Sequence, residues 1–447
     1  MSKYFWSKTL LLFGMMLFVG VGLTPAQAQR SQGPEAEAEV AFAWFDLQLQ
    51  LAQTTPGFSP PVVSRAFAYT GVTLYEALVP GAEQYQTLAG QLNALTELPQ
   101  PSPGVRYHWP TVANSALATI TRFMYPNASA ENKAAIDTLY ERFADTYASD
   151  VDEDVFARSV TQGRVVADAI YIWSLTDGGH EGHLRNFPAT YDPVSGESMW
   201  RPTPRRGGDP QPALLPYWGN NRPFVLKAGD ECAPAAPPEY SEDPESPFYA
   251  EAMEVYETVN NLTMEQNVIA SFWSDNPGQT ATPPGHSLAI TTLLLRQQPD
   301  LALAEAGEVY AKVGIAVADA FIGCWNIKYK YNLPRPVTVI QEMIDPDWMP
   351  PLTTPPFPEY PSGHSVQSGA VAQVLTATFG EYYAFHDNTH EARGFAPRLF
   401  ESFLAFADEA AMSRLYGGIH YRAAIEEGLL QGRCIGDRVN ALAFYRS

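Results

Sequence analysis

"LAEAGEVYAKVGIAVADAFIGCWNIKYKY" runs from Leu303 to Tyr331. Through Cys324 nearly every side chain is small or apolar, which marks a helix buried on most sides rather than one with a solvated face. Asn332-Leu333-Pro334 then breaks it, since proline lacks an amide hydrogen and clashes with the preceding turn. Outward from this helix, helical periodicity dominates. "EAEVAFAWFDLQLQLAQ" and "PPVVSRAFAYTGVTLYEAL" read as two N-terminal helices, the second opened by Pro60-Pro61, and further patterns cover roughly residues 112–123, 129–148 and 153–174. Helices resume near residue 248, and "PRLFESFLAFADEAAMSRLYGG" and "YRAAIEEGLLQGRCIGDRVNALAFYR" supply two more. No run of alternating strand pattern and no internal repeat appears. The expected architecture is all-α: two packed helical bundles, residues 29–177 and 248–447, separated by a long irregular connection over 178–247. That connection is rich in Pro, Gly and aromatics ("MWRPTPRRGGDPQPALLPYWGNNRPF"), and so long a loop in a compact protein usually has a capping or functional role.

The chain has 447 residues, a net charge of −21 and 46% hydrophobic residues. Its first segment reads as a signal peptide, residues 1–28. Lys3 and Lys8 form the basic region, "TLLLFGMMLFVGVGL" the apolar core and Ala26-Gln27-Ala28 the cleavage pattern. No later stretch is apolar enough to span a bilayer, so an exported protein, periplasmic or extracellular, is expected, with no membrane contact after signal removal. The acidic balance argues against nucleic acid or an anionic membrane as a partner. Cys232, Cys324 and Cys434 allow at most one disulfide with one thiol left over, so stability must come from a core.

Three segments place charged groups in apolar or conformationally special surroundings. Lys328 lies at the end of the buried helix, three residues after Trp325, and Arg335 follows the helix break with Pro336 behind it. Arg414 ends another helical pattern just before Gly417-Gly418, with His420 six residues on. Between them, "PEYPSGHSVQSGA" (Pro358–Ala370) puts Ser362, a favoured N-cap, and Gly363 at the mouth of a helix. The first amides of a helix lack internal partners and carry partial positive charge, and glycine admits close approach, so this mouth can seat an anion. Two like charges 4 Å apart repel by about 4 kcal/mol at an effective dielectric near 20. Three cations gathered there would therefore require a polyanion.

Taken together, Lys328-x6-Arg335-Pro336, Pro361-Ser362-Gly363-His364 and Ser413-Arg414-x3-Gly418-x-His420 resemble the three-part signature of one superfamily. It comprises the vanadium-dependent haloperoxidases, the type 2 phosphatidic acid phosphatases and the bacterial acid phosphatases. "TPPFPEYPSGHS", "FWSDNPGQTATPPGH" and "SRLYGGIHYR" are similar to the haloperoxidase branch, and the resemblance covers roughly residues 40–440. It implies vanadate as cofactor, with hydrogen peroxide, halide and a small organic acceptor as partners. Lys328, Arg335 and Arg414 would neutralise the vanadate oxygens, Ser362 and the Gly363 amide would hydrogen-bond to them, and His420 would ligate the metal. His364 would be the acid–base group that takes a proton from peroxide; a hypohalous species would then form and halogenate the acceptor. Trp325 and Phe357 stand where the family places aromatics near the halide. Asp275 resembles an acid that pairs with the second arginine.

One departure from the pattern matters. The wider motif ends in an aspartate four residues after the last histidine, and this chain has Ala424 there. In the phosphatases that acid orients a nucleophilic imidazole. Here Glu426, Glu427 or a backbone carbonyl would have to replace it. The same pocket would suit an acid phosphatase using His420 as nucleophile on phosphate monoesters, or a non-catalytic oxyanion-binding protein. "HEGH" (His180–His183) lacks zinc spacing, and "HDNTH" (His386–His390) lacks a nearby third ligand. Asp345 and Asp347 read as turn residues rather than a calcium loop.

Overall fold

The computed structural model describes residues 34–203 and 209–446; the signal peptide lies outside them. Among the described residues no helix is long and apolar enough to cross a membrane. The chain is helical almost throughout. Helices α1 (Pro34–Thr54), α2 (Pro60–Leu78), α3 (Trp109–Met124), α4 (Ala130–Ala148) and α5 (Glu153–Ser174) precede the irregular connection. After it come α6 (Pro247–Asn260), α7 (Met264–Phe272), α8 (Thr282–Arg296) and α9 (Leu303–Tyr331). The chain then forms α10 (Pro336–Met343), α11 (Gly363–Phe379), α12 (Phe403–Tyr416) and α13 (Arg422–Asn440). The helix expected from Pro397 onward is shorter: Arg398–Phe400 instead pairs antiparallel with Phe385–Asp387 as a small two-stranded ribbon. Alternating burial of Phe385 and Asp387 on one face explains why a three-residue strand wins there.

The apolar sequence of α9 has its physical counterpart in two neighbours, α2 and α11, packed on different sides of it. Close approach needs residues without side chains. A Cβ on Gly71 of α2 would lie 2.5 Å from the Tyr310 carbonyl oxygen, so α2 and α9 touch backbone to backbone. The same device seats α13 on α11, where a Cβ on Gly432 would fall 2.2 Å from the Val366 carbonyl. One large hydrophobic cluster takes residues from both sides of the connection, from Trp44 and Phe67 to Ile435 and Phe444.

The irregular segment is fastened to α9 by buried polar groups. Asp319, fully buried, accepts the backbone N–H groups of Phe224 (2.6 Å), Val225 (2.9 Å) and Leu226 (3.1 Å). Burial lifts its carboxyl to about 6, against the pull of those three donors. The Leu214 carbonyl accepts from the Trp325 indole and the Tyr329 hydroxyl. Cys232 is disulfide-bonded to Cys434 on α13, and Cys324 is a buried free thiol. The connection thus becomes a fixed wall at the end of α9, where the charged residues converge.

Candidate active site

Helix α11 begins as its sequence predicts. Ser362 caps it, its hydroxyl accepting the Ser365 amide at 3.3 Å, and Gly363 is the first helical residue. A Cβ on Gly363 would meet only the Trp325 ring at 3.8 Å and the Cys324 sulfur at 3.9 Å. Protein packing therefore does not demand glycine. The residue faces the pocket and leaves room for a ligand against the helix mouth.

Lys328 and Arg335 flank the turn between α9 and α10, and both are wholly buried. The Lys328 ammonium donates to the carbonyls of Pro358 (3.0 Å), Glu359 (2.8 Å) and Pro361. It clamps the proline-rich strand leading into α11 and supplies positive charge from behind it. Arg335 spreads its fork: Nε donates to the Phe357 carbonyl (2.9 Å), and Nη1 to the Ile419 carbonyl (2.8 Å) and to His420 Nε2 (3.1 Å). Its Nη2 is buried and has no partner among the described residues. Burial lowers Lys328 to about 7, with Arg335 adding to the effect, and lowers Arg335 to about 10.

Arg414 stands in the last turn of α12, its guanidinium held by the Ser413 hydroxyl (Nε, 3.0 Å) and the Trp273 carbonyl (Nη2, 2.8 Å). Burial brings it down to about 10. Gly418, at φ +70°, turns the chain so that the Ile419 amide bonds back to the Arg414 carbonyl. His420 then projects into the same space. Its Nδ1 lies 2.8 Å from Glu359 Oε1 while its Nε2 accepts from Arg335, an arrangement that places the proton on Nδ1. Burial, then Arg335, Lys328 and Arg414, hold the ring far below the usual histidine pKa, so it is neutral with a lone pair on Nε2.

The expected partners of that ring need correction. Glu426 pairs with Arg422 at 3.5 Å and Glu427 accepts the Ala235 amide, both away from His420, and among the described residues Nδ1 meets Glu359 rather than a backbone carbonyl. The acid is Glu359, two residues before Pro361 in the stretch that carries the anion seat. Its signal was an acidic residue amid prolines and aromatics, and only the fold shows where it points.

His364, on the first turn of α11, sets Nε2 2.9 Å from the Trp273 carbonyl, the same oxygen that holds Arg414. Burial and then Arg414 keep it well below the normal histidine range, so it is neutral, with Nδ1 free as a base. Asp275 does not pair with Arg414 at contact distance. Its carboxylate, in a turn at φ +41°, takes His286 Nδ1 (2.8 Å) and His390 Nε2 (3.0 Å), with Arg393 at 4.0 Å. The other nitrogen of His286 lies 2.8 Å from Asp387. With a carboxylate on each nitrogen, His286 is an imidazolium. Burial alone would lower its pKa, but Asp275 and Asp387 raise it to about 10. Asp275, His286 and His390 have the mutual spacing of a metal cluster. A doubly protonated ring has no lone pair for a cation, however, and the network balances its own charge. His390 of "HDNTH" belongs to this network, and sequence reasoning missed His286 and Asp387.

Asp275, Gly363, His364, Arg414 and His420 open onto one cavity of about 740 Å³. Gly363, His364, Arg414 and His420 form its polar end, with Trp325 and Phe357 beside them, ring centroids 4.8 Å apart. Phe58, Asn186 and Leu214 extend the wall from the far side of the fold. A buried guanidinium with one unpaired nitrogen, helix-start amides and a neutral imidazole whose Nε2 carries no proton make a receptor for a tetrahedral oxyanion that also offers one ligand to its central atom.

Comparison with known proteins agrees with this geometry. The family described as the VCPO second helical-bundle domain matches residues 308–346 and 341–446. The vanadium chloroperoxidase of Curvularia inaequalis is 30% identical over 128 residues, a stretch spanning 23% of this chain and 21% of that protein. A bacterial vanadium-dependent chloroperoxidase in its holo form shares the fold, with a TM-score of 0.68 and 17% identity over 87% of this chain and 92% of that one. The structure described as the first bacterial vanadium-dependent iodoperoxidase superposes with a TM-score of 0.83 and 37% identity, covering 92% of this chain and 98% of that one. With similarity of that extent, and with the second and third motif segments lining one cavity while the first bonds to both of them, the chain belongs to the vanadium-dependent haloperoxidase family.

Proposed function

We propose that the protein uses hydrogen peroxide to oxidise a halide to a hypohalous species that halogenates a small organic acceptor, with vanadate as cofactor. The observation that carries this reading is the meeting of Arg335, His420, Arg414 and His364 at the start of α11. The residues fit vanadate. Arg335 has an unpaired buried nitrogen, Gly363 leaves space at the helix amides, and His420 keeps Nε2 unprotonated. When bound, vanadate supplies Lewis-acid activation of peroxide.

The protein's own groups do the rest. Arg335, Arg414 and the amides beside Ser362 and Gly363 hold negative charge, and Lys328 adds its field through the strand it clamps. His420 provides the ligand nitrogen. His364, with Nδ1 open, accepts a proton from peroxide and returns it as water leaves. Trp325 and Phe357 give the halide an apolar, partly desolvated seat beside Arg335, whose guanidinium lies 4.8 Å over the Phe357 ring. The signal segment and the Cys232–Cys434 bond both support export to an oxidising compartment.

Glu359 gives the phosphatase reading specific support as well, because it restores an acid behind His420. A halide-by-halide assay on vanadate-loaded protein with a phenolic acceptor decides. Oxidation requiring both peroxide and vanadate is expected. Hydrolysis of a chromogenic phosphate ester with no oxidation of any halide would establish the phosphatase instead. Neither activity, with phosphate raising the melting temperature, would leave a binding protein.

A further inference from the structure

The geometry points to Glu359 as the positioning acid of His420, taking over from a new place in the chain the task that the last motif assigns to position 424. The inference rests on His420 being the vanadate ligand. Glu359 is wholly buried. One carboxylate oxygen, Oε1, faces both His420 Nδ1 at 2.8 Å and the Tyr421 amide at 2.9 Å, so it fixes the ring and the backbone beside it. The backbone of Glu359 is itself held on two sides. Its amide donates to the Leu333 carbonyl at 2.9 Å, and its carbonyl accepts Lys328 at 2.8 Å. A side chain so anchored cannot follow the imidazole if the ring rotates, and that immobility is what a positioning group needs.

Ala424, also wholly buried, lies in the first turn of α13, and its carbonyl accepts the Ser362 amide at 2.9 Å. Ala424, Glu359 and Tyr421 border one narrow gap, with Phe248 and Glu251, too small to admit a water. Positions 359 and 424 therefore border the same space, and in this chain the carboxyl comes from the proline-rich segment. An alanine at 424 leaves that volume for the longer glutamate. The second oxygen of Glu359 is buried without a partner among the described residues, and burial raises the carboxyl to about 8 against the through-space pull of Arg335 and Lys328. Its Oε1 holds the His420 proton on Nδ1, which leaves Nε2 unprotonated, facing Arg335, as the nitrogen for the metal.

The test relocates the acid. Orthovanadate affinity is measured by calorimetric titration in phosphate-free buffer for wild type, Glu359→Ala, Glu359→Gln and the double variant Glu359→Ala/Ala424→Asp. Ring nitrogen shifts of His420 are read by NMR in the vanadate-free proteins, assigned by comparison with His420→Ala. Loss of an outer-shell partner typically costs 10–100-fold in metal affinity, and a loss in that range is expected for Glu359→Ala, with the ring spreading over both tautomers. Glu359→Gln retains an acceptor oxygen and is expected to hold the Nδ1–H tautomer with a smaller loss. Ala424→Asp in the Glu359→Ala background is expected to recover at least tenfold of the affinity and the single tautomer. A purely structural glutamate would not be rescued from the other helix. A Glu359→Ala protein with unchanged tautomer and affinity overturns the assignment, and so does a loss that Ala424→Asp leaves uncorrected. If wild type itself fails to bind vanadate in a His420-dependent way, the cofactor reading falls, while the vanadate-free ring shifts still decide the role of Glu359.

Discussion

Arg335→Lys keeps the charge and removes the shape, and so isolates what the guanidinium fork contributes. The fork serves the Phe357 carbonyl, the Ile419 carbonyl and His420 Nε2, and still presents one unpaired nitrogen. A lysine offers a single nitrogen and cannot reproduce those directions. Each buried carbonyl left without its donor costs about 1–3 kcal/mol. Loss of one charge-assisted hydrogen bond to the bound oxyanion costs about 1.5–3 kcal/mol, which is roughly ten- to a hundredfold in affinity. Calorimetric titration with orthovanadate and thermal melting of the same samples separate the two effects. The expected result is a lower melting temperature without ligand and an orthovanadate dissociation constant raised by that factor. If Arg335→Lys binds orthovanadate within twofold of wild type while Arg335→Ala loses it, only charge matters and the fork argument is refuted.

Replacing His364 by alanine removes the open base and no ligand, so the variant is expected to retain vanadate on dialysis but lose turnover. Loss of vanadate equal to that of His420→Ala would contradict the division of roles. The His286 network predicts a pH signature in stability. Its folded pKa of about 10 exceeds the ordinary 6.5, so its contribution is complete below 6.5 and is lost as pH rises through 10. Asp275 and Asp387 are both lowered, so their contributions are present above 3.8 and fade as pH falls. The stability advantage of wild type over His286→Asn is therefore expected to shrink by roughly 1 kcal/mol per pH unit above pH 7, read from melting curves. A constant difference across that range would mean that His286 is not an imidazolium. Reduction of Cys232–Cys434, which spans 202 residues of sequence, removes a cross-link worth about 5 kcal/mol in the loop-entropy account, and a melting temperature insensitive to reductant would reject that account.

What could be read from the chain divides along physical lines. Helices announce themselves through local periodicity, so α5 appears in the sequence with the bounds it has in the fold, and Ser362 marks the start of α11 by the chemistry of its own hydroxyl. Arg398–Phe400 was misassigned to a helix because a three-residue strand has too few alternations to register, and it exists only because Phe385–Asp387 lies alongside. The anion seat was legible because a helix start with Ser362 and Gly363 falls in the same motif pattern as Lys328, Arg335, Arg414 and His420; serine and proline at a helix mouth are otherwise ordinary caps. Partner choice was not legible, because it is set by geometry between segments far apart. Asp275 was assigned to the second arginine and acts on Arg414 only through space, while its direct bonds go to two histidines, one of them 115 residues away.

The same division explains how the site tolerates Ala424. Motif spacing describes a constraint within one helix and says nothing about a side chain that arrives from elsewhere. In this chain Glu359 occupies the proline-rich strand that Lys328 clamps, and that strand also carries Ser362 and Gly363 to the mouth of α11. A single segment therefore sets the anion seat and the acid behind His420 together. Any shift of the strand would move both, and the three hydrogen bonds of the Lys328 ammonium oppose such a shift. On this reasoning the first motif lysine works at one remove. It rigidifies the backbone that, in the proposed reading, presents the helix-mouth amides to the oxyanion and Glu359 to His420.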